Sequence, residues 1–362
     1  MLLFIHVYIK MILDDMDANA PSQATYCKWL KYLLVIASST LLLPTNIHAS
    51  EASFKPVVLF QGEVQPGSYL QLIEQGVARF EQNSGITVKR VHLAPNNARY
   101  LAELEQAAIE GYSPVLVQES NTLASFPDVA LRYPSTRFIS LDVAYHVPNV
   151  LGLTFSHAEG AYVIGYLAGL KTKTNELGFI GGVDVDVINQ FHCGYELGAR
   201  DANEKASVHT RYINKGAQSW EDTQGAKLLT ENLMAENVDV IFPVAGFASL
   251  GVVETMKNSG HGYSFGIDYD YSQRYPNTTL ASMEKKVDLA VYAALTQLKN
   301  GIWNGNHKTF GVKQGVISIS LNNNNPDLTA DDKKAVGNIL LDLKGKSSVI
   351  SQRIDQHCAS ST

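Results

Sequence analysis

From Phe54 onward, short continuous apolar runs alternate with amphipathic stretches along most of the chain, and this alternation restricts the fold more than any other feature. The runs predict strands over Val57–Phe60, Thr87–Leu93, Val115–Gln118, Arg137–Asp142 and Val150–Phe155. A second series follows over Leu177–Gly181, Val208–Ile213, Val238–Ala245, Tyr263–Asp268 and Leu280–Met283. Many are apolar at every position, as expected of parallel strands covered on both faces. Helical patterns separate them at Tyr69–Glu81, Ala98–Glu110, Ala158–Lys171, Asn189–Glu204, Trp220–Glu236, Leu250–Ser259 and Val287–Asn300. Repeated β/α units with short connections specify right-handed crossovers and open, doubly wound α/β sheets. So many strands are housed more readily in two sheets than in one.

No Pro/Gly/Ser-rich linker separates two beads, so the chain must pass between sheets through ordinary extended segments. Val150–Phe155 and Leu280–Met283 are the candidate crossings, which together form a hinge. The expected division is residues 53–153 plus 284–304 for an N-terminal lobe and 154–283 plus 305–362 for a C-terminal lobe. Asn322–Asn325 reads as a surface loop. Thr329 and Asp332 have the spacing of a capping box that opens a late helix over Asp331–Leu343.

Residues 1–52 read as a targeting segment. Lys28 and Lys31 precede the apolar run Leu33–Leu43, Pro44 follows, and Ala49 or Ala52 supplies a small residue for cleavage. A run of eleven residues is too short to span a bilayer, so a signal peptide is expected rather than an anchor. A further apolar run, MLLFIHVYIKMIL, lies ahead of it and points to a translation start placed too far upstream. Cys27 precedes the apolar core and cannot be the lipidated first residue of a mature lipoprotein. The expected mature product is a periplasmic monomer with no direct membrane insertion. Cys193 and Cys358 remain after cleavage, and either a disulfide or two separate thiols fits the sequence. The formal charge of −6 carries no basic block, which excludes nucleic acid as a partner.

In open α/β sheets, loops at the carboxyl ends of the strands converge on one crevice. Asp142 ends FISLD, Phe247 follows VIFPVAG, Asp268 and Asp270 follow YSFGI, and Lys285 follows TLASME. Carboxylates accept and an ammonium donates, a combination suited to vicinal hydroxyls. Each has an ordinary alternative: Asp142 as a turn cap, Lys285 as a solvated helix start, and one of Asp268 and Asp270 facing water because they flank Tyr269. Tyr69 and Phe247 could sandwich a flat ring or simply pack. Gly181 and Gly182 lack both the GxGxxG pattern and a P-loop lysine, and read as a tight turn with close backbone approach. No GxSxG, HExxH or cysteine/histidine metal spacing is present, so neither catalysis, a metal nor a cofactor is expected. His157 and His192 read as surface or packing residues.

Four ordered blocks carry a family resemblance: NVLGLTFSHAEGAYVIGYLAGLKTKTNELGFIGGVDVDVINQF, VDVIFPVAGFASLGVVE, GIDYDYSQ and SMEKKVDLAVY. Between about Asp142 and Ser320 the chain resembles the basic membrane protein family, the nucleoside-receptor-like substrate-binding proteins of ABC importers. The resemblance implies a type I periplasmic-binding-protein fold, a ligand held between two lobes, an ABC permease in the inner membrane as partner, and no enzymatic activity. Carried over by position, it points to Asp268 and Lys285 as sugar contacts and Phe247 as a stacking ring, with Asp142 and Asn189 as weaker transfers. The first lobe departs from the pattern: FQGEVQPGSYLQ keeps an aromatic at Tyr69 but lacks the family's purine-reading polar residues. Gln61, Glu63, Gln118 and Glu119 could supply a different set. The expectation is capture of a nucleoside-like or other ribose- or sugar-bearing solute by lobe closure. The alternative is a periplasmic receptor feeding a histidine-kinase or chemoreceptor ectodomain.

Overall fold

The apolar runs become the centres of two six-stranded sheets. A computed structural model describes residues 54–359 apart from 95–96, 119–123, 304 and 306. The leader expected over residues 1–52, and Glu119, lie outside the described residues. The first sheet contains β1 (Val57–Gln61), β2 (Lys89–Leu93), β3 (Val115–Gln118), β4 (Phe138–Leu141), β5 (Val150–Phe155) and β11 (Lys308–Phe310). The second contains β6 (Glu176–Gly181), β7 (Ser207–Tyr212), β8 (Val240–Val244), β9 (Tyr263–Asp268), β10 (Thr279–Lys285) and β12 (Ile317–Leu321). Their orders, β2-β1-β3-β4-β5-β11 and β7-β6-β8-β9-β10-β12, follow the same plan. Every pairing is parallel except β10 with β12. The strand order reverses direction beside β1 and beside β6, so each sheet opens a crevice at its strands' carboxyl ends.

Helices α1 (Tyr69–Ser84), α2 (Asn97–Ile109), α3 (Phe126–Arg132), α4 (His157–Lys171), α5 (Asp186–Ala202), α6 (Thr223–Ala235), α7 (Ser249–Ser259), α8 (Val287–Lys299), α9 (Ala330–Lys344) and α10 (Val349–Ala359) clothe them. The chain passes between the sheets three times: after β5 into α4, after β10 into α8, and between β11 and β12. Following the second crossing, α8 packs on α1 beside the first sheet. The two expected crossing strands are therefore ordinary sheet members whose exits make the crossings. β11 supplies a third that the sequence division, ending the N-terminal lobe at residue 304, does not contain. Its three residues KTF carry no alternation long enough to read as a strand.

The helix pair α4 and α5 explains the small-residue stretch EGAYVIGYLAGLK. A Cβ on Gly165 would strike the Tyr195 carbonyl, and one on Gly198 would strike the Tyr162 carbonyl, so these glycines let the two helices touch backbone to backbone. A disulfide joins Cys193 on α5 to Cys358 on α10, with Cα atoms 5.6 Å apart, and pins the C-terminal helix to this pair. Thr329 and Asp332 form the reciprocal capping box of α9. The expected loop at Asn322–Asn325 is a turn with Asn323 and Asn324 exposed, but its ends, Asn322 and Asn325, are only 2% and 3% exposed. The Asn322 amide donates to the carbonyls of Pro276 and Thr279, tying the strand after β9 to the end of β12. Asparagine runs look like loops, yet an amide that satisfies two buried carbonyls is worth keeping inside.

Candidate ligand site

Ser68 caps α1, accepting from the Gln71 N–H at 3.3 Å, and thereby sets Tyr69 at the helix's first turn beside the end of β4. The Tyr69 hydroxyl donates to Asp142 Oδ2 at 2.6 Å. Asp142, just past β4, adopts φ 71°, a left-handed conformation that aspartate tolerates better than most residues. Its Oδ1 accepts from Lys285 Nζ at 2.8 Å and lies 3.1 Å from His157 Nε2. Lys285 ends β10, and its ammonium sits 4.3 Å from the centre of the Tyr69 ring and 4.9 Å from that of Phe155. The side chains of Asp142 and Lys285 are each 6% exposed. Lys285 and His157 stand at two of the three crossings, so this buried network ties the hinge to the first lobe.

The electrostatics follow from burial and from these contacts. Burial alone would raise the Asp142 pKa, but the Lys285 charge and the His157 contact overcome it and hold this carboxyl well below the usual carboxylate range. Burial also pushes His157 down, against the pull of Asp142, and pushes the Tyr69 hydroxyl well up, reinforced by Asp142. Asp268, the last residue of β9, likewise takes a positive φ of 65°. Its pKa is pushed up to about 6, chiefly by burial and further by the charge of Asp142, with Lys285 opposing. Two carboxyls close to one lysine are thus driven in opposite directions, because the lysine bonds only one of them.

Around this cluster lies a cavity of about 120 Å³, far more than one water needs. Gln61, Glu63, Gln65, Ser68, Tyr69, Leu70, Gln118 and Asp142 line it from the first lobe. Val187, Ile188 and Phe191 of α5, Trp220, Glu221, Val244, Phe247, Ile267 and Asp268 line it from the second, and Lys285 stands at the crossing. Gln118 donates to the Gln61 carbonyl at 3.2 Å, while its own side-chain oxygen is buried with no hydrogen-bond partner among the described residues. At the mouth the Glu63 N–H donates to Glu221 Oε1 at 3.3 Å, a direct contact between the lobes.

Of the residues singled out by sequence, Tyr69, Asp142, Phe247, Asp268 and Lys285 come together around the cavity. Asn189 does not line it: its amide donates to Asp184 at 3.0 Å and its oxygen accepts from the Tyr212 hydroxyl at 2.6 Å. Asp270 turns away to the Ser272 N–H and hydroxyl. Sequence reasoning missed Trp220, Phe191, Glu221 and the contact of His157 with Asp142. His157 had a findable signal, since it stands two residues past a strand end. Trp220 had only an indirect one: a Cβ on Gly182 would strike its ring, and a Cβ on Gly181 would strike the Tyr212 ring. The double glycine makes room for two aromatic rings.

Two doubly wound sheets, three crossings and a cleft at the strand carboxyl ends define a type I periplasmic-binding fold. Solved structures agree. A solute-binding protein of an ABC transporter system from Aeropyrum pernix K1 matches with a TM-score of 0.68 at 22% identity, covering 85% of this chain and 90% of that one. A myo-inositol binding protein from Caulobacter matches with a TM-score of 0.62 at 17% identity, covering 79% and 97%. The model of the Bmp family, described as ABC transporter substrate-binding protein PnrA-like, matches residues 54–349, and the chain belongs to that family. Basic membrane protein B of Borrelia garinii subsp. bavariensis is 27% identical over 302 residues, 80% of this chain and 87% of the relative. Basic membrane protein D of Borreliella burgdorferi is 34% identical over 179 residues, 49% of this chain and 51% of the relative. The family is one of extracytoplasmic solute-binding proteins that work with a permease, not an enzyme family. Among the described residues no helix is long and apolar enough to cross a membrane.

Proposed function

We propose that this protein is exported to the periplasm, captures a nucleoside-like or other ribose- or sugar-bearing solute in this cleft, and delivers it to the permease of an ABC importer. The observation that carries the reading is the cluster of Asp142, Asp268 and Lys285 beside the crossings, with aromatic and aliphatic side chains on the opposite wall. Carboxylates that accept and an ammonium that donates match a hydroxyl-bearing end, and Phe247 offers a face to a ring.

In this reading the first lobe comprises residues 54–155 and 287–310, and the second residues 157–285 and 317–359. A solute that touches both stabilises the closed form over the open one by its difference in affinity for the two. The Cys193–Cys358 disulfide fits an oxidising compartment. Isothermal calorimetry with a panel of nucleosides and free sugars tests the reading. Saturable binding of a member, lost or strongly weakened by Asp268→Ala in a protein that still folds, is expected. Unchanged affinity in that variant removes Asp268 from the site, and no binding across the panel rejects the solute class.

A further inference from the structure

We propose that Glu63 and Glu221, one from each lobe, form a charge gate that makes the cleft reject anionic solutes, so that its ligand is neutral or cationic and carries no phosphate or free carboxylate. The inference rests on the reading of this cleft as the ligand site. The cavity is lined by four carboxyls, Glu63, Asp142, Glu221 and Asp268, and by one cation, Lys285. That cation is already engaged: its ammonium lies 2.8 Å from Asp142 with both side chains nearly buried. Lys215, close in sequence to the gate, is bonded to Asp222. Glu63, Glu221 and Asp268 therefore line the cavity with no hydrogen-bonded basic partner among the described residues, because Lys285, the one basic residue of the lining, is bonded to Asp142.

The gate's position adds to the effect of its charge. Gly62 adopts φ 120°, and a Cβ there would lie 2.7 Å from Glu221 Oε1, so the first-lobe backbone comes up against the second-lobe carboxylate. The Glu63 N–H then bonds that same oxygen. Closing the lobes thus brings the carboxylate-bearing residues Glu63 and Glu221 together at the entrance. Fields inside a cleft with low-dielectric walls are focused and less screened than on an open surface, so an approaching anion meets a barrier and a cation an attraction.

Trp220, which lines the cavity next to Glu221, reports on this field without any solute bound. In a Trp29→Phe, Trp303→Phe background it is the single tryptophan left of three. Quenching of its fluorescence by caesium is expected to exceed quenching by iodide at matched ionic strength, after normalising to free tryptophan. Adding Glu63→Gln and Glu221→Gln is expected to shift the iodide-to-caesium ratio upward by about threefold or more. Equal access of the two ions in the unmutated gate, or a ratio that the double substitution leaves unchanged, overturns the proposal. If the double variant fails to fold, the comparison of the two ions on the parent still decides. On the solute side, adenosine binding with no binding of adenosine 5′-monophosphate agrees, and equal affinity for both contradicts. Absence of all solute binding would reject the proposed function while the quenching result stands on its own.

Discussion

The two walls of the cleft are built from different chemistry. The first-lobe wall is polar almost throughout, with Gln61, Glu63, Gln65, Ser68, Tyr69, Gln118 and Asp142 broken only by Leu70. The second-lobe wall is mostly apolar, with Val187, Ile188, Phe191, Trp220, Val244, Phe247 and Ile267, and keeps its polar groups at Asp268 beside the crossings and Glu221 at the mouth. A free polyol needs partners on every side, whereas this cleft offers them mainly on one. The asymmetry fits a solute with a hydroxyl-bearing end and an apolar face, held by the first lobe through hydrogen bonds and by the second through contact area.

The comparison predicts unequal consequences when each wall is altered. Lys285→Met should have the largest effect, because it leaves the Asp142 carboxylate buried without its ammonium partner; a loss of about 3–5 kcal/mol in unfolding free energy is expected by denaturant titration. A loss below about 1 kcal/mol would mean that the pair is better solvated than its burial implies. Asp268→Ala should cost about 1.5–3 kcal/mol of solute affinity, the range for hydrogen bonds to a charged group, with little change in stability. Phe247→Ala should cost less in specific ring contact, about 0.5–1.5 kcal/mol beyond the area lost, and should weaken a nucleoside more than free ribose. Equal weakening of both would show that the apolar wall does not read a ring.

A change of pH acts on the same carboxyls without any substitution. Asp268 has a native pKa of about 6, above the roughly 4 of an unfolded aspartate, so its contribution to stability is full below pH 4 and is lost as pH rises through 6. Asp142 has the opposite sign: its contribution is present above pH 4 and is lost only on further acidification. Solute affinity should rise between pH 5 and pH 7 as Asp268 gains the charge that accepts hydroxyl protons. Asp268→Asn should flatten both profiles in that window, and a wild-type affinity independent of pH would place Asp268 outside the contact.

Most of the sheet framework was legible, because Val57–Phe60 or Val238–Ala245 can be buried on both faces only as parallel strands between helices. β11 and α3 were not, since KTF and FPDVALR are too short to show a period. In the site, Asp142, Asp268 and Lys285 were legible as polar residues interrupting apolar strand ends. Asn189 falls outside the cavity lining because a helix's first turn near a crevice does not fix where its side chain turns, and Tyr212 and Asp184 hold it. Trp220 was hidden for a different reason: the residue that makes room for it, Gly182, lies on another strand's end. Close approaches between distant segments leave a glycine in the sequence but no record of what fills the space.

The most direct test of the cleft as a solute trap is a crystal structure of the protein bound to whichever nucleoside or sugar it takes up in calorimetry. Solute hydroxyls within hydrogen-bond distance of Asp268 and Lys285 and of the first-lobe residues Asp142 or Gln118, with an apolar face against Phe247 and Trp220, are the predicted result. A solute seated elsewhere, or touching only one lobe, would contradict the account.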